Sequence, residues 1–453
     1  MPVPVTAVFD IGKTNKKFFL FDSNLREINQ EYTKIPLIVD EDGFPCEDLN
    51  KLTQWVRDKI QEVCASPQYQ LKGLNFSTYG ASFVNVDENG QPVTVLYNYL
   101  KDFPEELLQQ FFEQYPEEKN NLETASPTLG MLNSGLQLYW LKKTKPELFG
   151  KIKYSLHLPQ YISFLFTGQF VSEPTSIGCH TRLWDFNNKS YHEWVKKEGI
   201  DQLLPEIVPT THVINKPICG QGVNVGVGIH DSSSALASYL VRATEPFLLV
   251  STGTWSITLN PFTEEALSVE DLKNDCLKYL TIQGKSVKAS RFFLGNEFDH
   301  QMEILNKLFD KSSKYYKNVE PDENLIQQIK SGKISNTFYP VTLQKLPLLD
   351  SLFPQNHWNP EAYETFEEAY HQLIWGLIRI QVASLLLAKG NSPITKVFID
   401  GGFVHNKVFI ELLRHFLDGY SLEFSDFPLG SAYGAALMLN ERVSRSSSSQ
   451  GIT

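Results

Sequence analysis

Two stretches of this chain repeat one local plan. Residues 9–22 read FDIGKTNKKFFLFD, and residues 246–261 read PFLLVSTGTWSITLNP. Each is an apolar or aromatic run, a short polar turn around a glycine, and a second such run. Runs of this kind bounded by turn residues predict strands, and a short polar loop between two of them predicts a hairpin. The recurrence hints at a duplicated fold, with two similar domains facing a shared phosphate from opposite sides. The length agrees, because 453 residues exceed one compact core and two domains of roughly 200 residues each are the natural division.

The turns themselves carry chemistry. Gly12-Lys13-Thr14 looks like the end of a P-loop, but that motif needs a glycine five residues before the Gly-Lys pair, where Ala7 stands, and a helix after the lysine. A hairpin turn can still hold phosphate. Backbone N–H groups around a glycine converge on an anion, and Thr14 and Asn15 add side-chain donors. Asp10, at the strand end, suits a hydrated Mg²⁺. An ordinary surface hairpin is the alternative. A third turn, Gly401-Gly402, opens a helix whose free N–H groups suit an anion; close packing is the other reading.

The bulk numbers exclude several classes. A net charge of −11 without a long basic run argues against nucleic acid as a partner. The contents of 42% hydrophobic and 21% charged residues describe a soluble globular protein. MPVPVTAVFD lacks the regions of a signal peptide. The longest apolar stretch, at 373–390, holds Arg379 and Gln381 and predicts a buried helix and not a membrane span. The five cysteines are scattered without a C-x-x-C pair, so neither a disulfide framework nor a zinc site is indicated and a cytoplasmic location is expected.

Along the chain, strands with one amphipathic helix (LNKLTQWVRDKIQEVCAS) fill residues 5–100, including a second hairpin, ASFVNVDENGQPV, with an Asn89-Gly90 turn. Helices dominate from about 103 to 203. GIHDSSSALA follows a strand and precedes a helix. Its Asp231 reads as an N-cap and also as a general base for an attacking hydroxyl, since phosphoryl transfer relies on a carboxylate to orient the nucleophile. One aspartate can do both. The tail RSSSSQGIT, within 443–453, reads as disordered.

Taken in order, these motifs resemble the FGGY family of carbohydrate kinases, in the actin / sugar kinase / Hsp70 superfamily. The opening hairpin is similar to that family's first phosphate motif at Asp10, Gly12, Thr14 and Lys17, and STGTWSITLNP to its second, in the form found in deoxyketose kinases. GIHDSSSALA resembles the segment with the catalytic aspartate, FIDGGFVHNKVF the adenosine-binding loop with Asn406, and LGSAYGAAL the C-terminal Gly-Ala-Ala helix. PQYISFLFTG, LLPEIVP and Thr181 to Leu183 also fall in family order. The resemblance covers nearly the whole chain.

It implies an α/β, two-domain actin-like ATPase (ribonuclease H-like) fold with a cleft and a five-stranded mixed sheet in each domain. The sugar-binding domain would span 1–242 and the ATP-binding domain 243–442. ATP and Mg²⁺ are the implied cofactors. Asp231 would be the base, and Asp10 with Asp231 the metal ligands. Gly12, Lys13, Thr14 and Asn15, with Thr252, Gly253 and Thr254, would bracket the phosphates; Gly401, Gly402 and Asn406 would approach adenosine. The sugar would meet Tyr79, Gly80, Ala81, Ser82 and Phe83, with Asp102, His180 and His230 as neighbours. The implied partners are a small-molecule sugar and ATP, with no membrane; a homodimer is compatible.

The departures fall where the sugar would bind. Lys13 replaces the usual threonine, and would either contact phosphate or point to solvent. Ser82 replaces an acidic residue, and His180 a small hydroxyl residue. The acceptor is therefore expected to be a 6-deoxyketohexose, such as L-rhamnulose or L-fuculose, or a ketopentose, such as ribulose or xylulose. An actin- or chaperone-like ATPase acting on protein partners is the alternative class, and a non-catalytic sugar sensor a third.

Overall fold

The computed structural model describes residues 1–335, 337–343, 346–354, 358–425 and 430–440; the expected disordered tail lies outside them. The chain groups into two units. The first holds residues 1–243, 278–286 and the C-terminal segment from 429, and the second holds 244–277 and 287–428.

In the first unit, β1 (Val3–Ile11), β2 (Lys16–Phe21) and β3 (Glu27–Thr33) form an antiparallel meander. The alternation in VFDI and KKFFLF buries both faces: Phe9 and Phe18 face the same core as Trp55 of helix α1 (Leu49–Ala65), while Val8, Phe19 and Phe21 face the other side. Strand β4 (Tyr69–Thr78) lies parallel to β1. Beyond a helical region that includes α2 (Leu158–Thr167), the hairpin β5 (Val213–Ile218) and β6 (Gln221–Gly226) joins β4 through β6. The short β7 (Ile229–His230) joins it further along, and α3 (Asp231–Leu240) follows. The sheet order is β5-β6-β4-β1-β2-β3, with β7 also on β4.

The second unit repeats the core of this order. β8 (Leu248–Thr252) pairs antiparallel with β9 (Ser256–Asn260) and parallel with β12 (Lys396–Gly401). The full order is β10-β11-β9-β8-β12-β13, where β10 is Cys276–Leu280, β11 Ser286–Phe292 and β13 Ser421–Ser425. Helices α4 (Leu294–Leu308), α5 (Phe366–Lys389) and α6 (Lys407–Phe416) complete it. Each unit thus contains a 3-2-1-4-5 arrangement: β3-β2-β1-β4-β6 in one and β11-β9-β8-β12-β13 in the other. The expectation of five strands per sheet is too small, because edge strands enlarge the sheets to seven and six. Helix α5 is long and apolar enough to cross a membrane, but most of it is buried in the second unit's core. Arg379 stays at its flank, donating to Leu352 O.

Three further points differ from expectation. Cys64, at the end of α1, and Cys219, at the β5–β6 turn, form a disulfide, although nothing in their spacing suggested one. The Asp87–Gln91 turn forms, but Phe83–Val86 pairs with Tyr154–His157 rather than with a full returning strand. The C-terminal helix Gly430–Leu437 packs in the first unit, where a Cβ on Gly434 would lie 1.9 Å from Ser234 O of α3. Asn75 of β4 donates to Ala435 O, and Ser234 Oγ to Ser431 O.

Candidate active site

Strand β1 delivers Asp10 at its end, opposite Lys17 of β2. Lys17 Nζ lies 3.5 Å from Asp10 Oδ2, and the Ser431 hydroxyl donates to the same carboxylate. Burial pushes the Asp10 carboxyl above its ordinary value; Lys17 opposes the shift, and the charge of Asp231 adds to it. Two hard carboxylates close enough for their charges to couple, one of them buried, suit a divalent cation.

The turn from Gly12 to Asn15 is held from beneath. Gly12 N–H donates to Asn15 O at 3.0 Å. The buried ammonium of Lys16 donates to Gly12 O, Lys13 O and Glu47 Oε1, each at 3.0 Å. Two turn carbonyls therefore face a cation, while Thr14 and Asn15 stay exposed. Sequence reasoning missed Lys16, although its position two residues after the exposed Thr14 and facing the core in β2 was the available signal.

Lys13 does not point to solvent. Its ammonium turns back over the rings of Tyr79 and Tyr99, 5.3 and 5.0 Å from their centroids and 3.9 Å from Glu47 Oε1. Burial pushes its pKa down, and Glu47 opposes that.

Asp231 follows a broken strand. Gly228, at φ +84, interrupts β6 and β7, and a Cβ there would lie 2.6 Å from Pro159 O. Asn75 Oδ1 accepts Gly228 N–H, and Gln160 Nε2 donates to the carbonyls of Val227 and Gly228. The break turns the chain into α3 with Asp231 as its first residue; His230 holds the cap position without a side-chain cap bond. The contacts to Asp231 fall on Oδ1: Ser232 N–H at 2.5 Å, Ser232 Oγ at 3.2 Å and His230 Nε2 at 3.2 Å. His230 is buried, and burial pushes its pKa down, against the pull of Asp231. Its Nε2 also lies 3.0 Å from Cys179 Sγ, and its Nδ1 lies 3.3 Å from Ser233 Oγ.

Past the end of β4 the backbone bulges, with Ala81 at φ +57. Gln137 Nε2 pins Ala81 O. Gly80 has no room for a side chain, since a Cβ would lie 2.9 Å from Cys179 Sγ and 3.1 Å from the His230 ring. Thr78, Tyr79, Gly80 and Ser82 line a small cavity together with His157, Pro159, Ser176 and His230. Of the expected sugar residues, Tyr79, Gly80, Ser82 and His230 therefore come together. Phe83 instead stacks on the His157 ring at 4.1 Å within the core. His180, at φ +39, lies beside the His230 ring with its Nδ1 3.0 Å from Leu132 O. Asp102 is exposed, and its neighbour Lys101 is the residue engaged, with Asp40 and Asp42. His157 and Ser176 were missed, since neither sits in a glycine turn or a motif.

In the second unit, the buried hydroxyl of Thr252 donates to Asp400 O and accepts Phe403 N–H. It ties the Thr252–Gly253–Thr254 turn to Gly401 and Gly402. Gly401, at φ +96, must be glycine, because a Cβ would lie 1.8 Å from Thr252 O. Gly295 N–H donates to Thr254 O, so α4 begins against the same turn. Gly253, Thr254 and Gly402 are exposed there. Asn406 caps α6 through Oδ1 and donates to Tyr370 OH, so its amide holds the loop in place.

A separate cluster in the first unit brings ligand atoms of Glu123, Asp185 and His192 within 4.8 Å of one another. His192 Nδ1 accepts Trp194 N–H, which leaves the ring proton on Nε2 to donate to Glu123. That nitrogen has no lone pair to offer a metal.

Residues 5–235 match the N-terminal domain of the FGGY family of carbohydrate kinases, and residues 244–333 match its C-terminal domain. Among curated relatives, a rhamnulokinase from Klebsiella pneumoniae (strain 342) is 30% identical over 261 residues, 55% of this chain and 52% of its own length. A rhamnulokinase from Halalkalibacterium halodurans is 26% identical over 275 residues, 54% of this chain and 52% of its own. The chain spans about half the length of these relatives. Among solved structures, a carbohydrate kinase from Novosphingobium aromaticivorans superposes with a TM-score of 0.81 at 22% identity, covering 97% of this chain and 92% of the other. A xylulose kinase from Lactobacillus acidophilus gives 0.77 at 15%, covering 100% and 91%. These structures share the fold.

Proposed function

Because the chain belongs to the FGGY family of carbohydrate kinases, we propose that it transfers the γ-phosphoryl group of ATP to a hydroxyl of a ketose. A 6-deoxyketohexose such as L-rhamnulose or L-fuculose, or a ketopentose such as ribulose or xylulose, is the acceptor; the likeness to rhamnulokinases supports the first class. One observation carries the reading. Asp231 lies close enough to the buried Asp10 for their charges to couple, and Oδ1 of Asp231 lies 3.2 Å from Nε2 of the buried His230.

Asp231 accepts the proton of the attacking hydroxyl. Its hydrogen bonds fall on Oδ1, so Oδ2 is the atom that takes the proton. His230 and the Ser232 amide fix the carboxylate's rotamer, which orients the nucleophile without a further cost at the moment of reaction. Asp10 and Asp231 would hold Mg²⁺, which when bound neutralises phosphate charge. The Gly12–Asn15 turn, backed by Lys16, and the Thr252–Thr254 turn would hold the phosphates. Gly401 and Gly402 would approach adenosine, with Asn406 shaping their loop.

The test is ADP release on a panel of L-rhamnulose, L-fuculose, ribulose and xylulose, for wild type and Asp231→Asn. Wild type should show ketose-dependent release. The variant should fold and bind ATP but lose about 10²–10⁴-fold in kcat, the usual share of a general base. Turnover that ignores the ketose removes the kinase reading; near-wild-type turnover by the variant removes Asp231 from the role.

A further inference from the structure

The side chain of Lys13 leaves the phosphate turn and lies on the aromatic residues beside the expected acceptor wall. Its ammonium sits over the rings of Tyr79 and Tyr99, which meet each other edge to face at 5.9 Å. Tyr79 N–H donates to Ile11 O at 3.0 Å, so its backbone is tied to the strand that enters the turn. Tyr79 also lines the small cavity beside His230, which has no room for a water molecule. The expected acceptor wall is therefore closed, with Lys13 covering Tyr79.

Little holds the ammonium there. It carries three donors, yet it is buried with no hydrogen-bond partner. Glu47 Oε1 lies 3.9 Å away and already accepts from Lys16 at 3.0 Å. Burial pushes the Lys13 pKa down, and the charge of Lys16 adds to this against the pull of Glu47, so the position disfavours the charged form. What remains is the attraction of a cation for two ring faces, worth about 2- to 30-fold in an equilibrium. A phosphate oxygen offers more, because a charge-assisted hydrogen bond satisfies donors that the rings leave unmet. The turn that carries Lys13 is the one assigned to the phosphates, with Thr14 and Asn15 exposed on it. Lys16 anchors Lys13 O from beneath at 3.0 Å, so the side chain can turn while the backbone stays. The family's usual threonine has no ammonium to place on the rings.

Resting on the kinase reading above, we propose that Lys13 is a positioning residue that couples the two substrates: it covers Tyr79 and Tyr99, the phosphates of ATP draw it off, and the uncovered rings become part of the acceptor's wall.

Coupling can be read by binding, apart from turnover. Titration calorimetry measures Kd for L-rhamnulose, L-fuculose, ribulose and xylulose with and without the Mg²⁺ complex of the β,γ-imido analogue of ATP, on wild type, Lys13→Thr and Lys13→Met. In wild type the analogue should tighten the best ketose about 2- to 30-fold. Threonine clears the rings, so Lys13→Thr should bind that ketose as tightly without the analogue as with it. Methionine keeps a chain on the rings but has no charge for phosphate to draw, so Lys13→Met should bind it weakly in both cases. In wild type labelled with ¹³C at lysine Cε, the Lys13 signal, assigned by its loss in Lys13→Thr, should lie upfield under the ring currents and move downfield on adding the analogue alone. Wild-type ketose affinity that ignores the analogue, coupling retained in either variant, or a Lys13 signal that the analogue does not move each overturns the proposal. Ketose-dependent ADP release alongside any of these leaves the kinase reading standing alone. No ketose binding together with no ketose-dependent ADP release sinks both.

Discussion

Replacing Lys16 by methionine tests whether the first phosphate turn is built from beneath. The substitution keeps the length of the side chain and removes its charge. Nζ makes contacts of 3.0 Å to Gly12 O, Lys13 O and Glu47 Oε1, from a residue only 2% exposed. Glu47 is 1% exposed, and its Oε2 has no hydrogen-bond partner. Without Lys16, the Lys13 contact at 3.9 Å is the ion pair left to Glu47. Removing one member of a buried pair costs about 3–5 kcal/mol. In a unit of this size, that lowers the melting midpoint by roughly 6–20 °C. The two turn carbonyls also lose their donor, so the turn shifts and KM for ATP rises. The double variant Lys16→Met/Glu47→Leu removes both charges. Its stability should recover part of that loss, because an apolar pair of similar volume is tolerated in such a site, while Lys13 also loses its contact with Glu47. Its KM for ATP should stay raised, because the carbonyls remain unanchored. Calorimetry that resolves separate transitions for the two units, together with KM for ATP, gives both numbers. A midpoint drop under about 2 °C in Lys16→Met, or the same KM in all three proteins, refutes the reasoning.

Asp10→Asn should lose most Mg²⁺-dependent turnover and yet stabilise the nucleotide-free first unit at neutral pH. A carboxyl whose folded pKa is raised above 3.8 destabilises the fold as it ionises. The loss accrues as pH rises from 3.8 through the raised value, so the variant's advantage should be absent in acid below 3.8 and complete at pH 7; a thermal midpoint that falls at pH 7 contradicts this. Gly401→Ala should destabilise the second unit by on the order of 2 kcal/mol or more, because its Cβ would meet Thr252 O at 1.8 Å with φ at +96. It should weaken ATP binding more than ketose binding, and a wild-type midpoint with unchanged ATP affinity would count against the close approach.

The sequence by itself was enough for turns and junctions set by neighbours along the chain, but not for the partner of Phe83–Val86, which a distant strand supplies. The two glycine hairpins, the Gly-Gly turn and Asp231 at a strand-to-helix junction are local patterns, because turn chemistry and strand periodicity act over a few residues. Their recurrence gave the duplication, and the repeated 3-2-1-4-5 strand order is its structural form. What lay beyond reach depends on separated segments meeting. Ser82, His157, Ser176 and His230 come from four parts of the chain, and only the packing of β4, Tyr154–His157 and β7 makes them one cavity. Lys16 reads as one lysine of a charged pair, and only the hairpin register turns it under the Gly12 carbonyls while Lys17 faces Asp10. Cys64 meets Cys219 across 155 residues, and Asn75 meets Ala435 across 360. The physical reason is the same in each case. A short-range pattern sets backbone conformation, but hydrogen-bond partners, burial and the pKa of a side chain are set by whatever the fold brings against it.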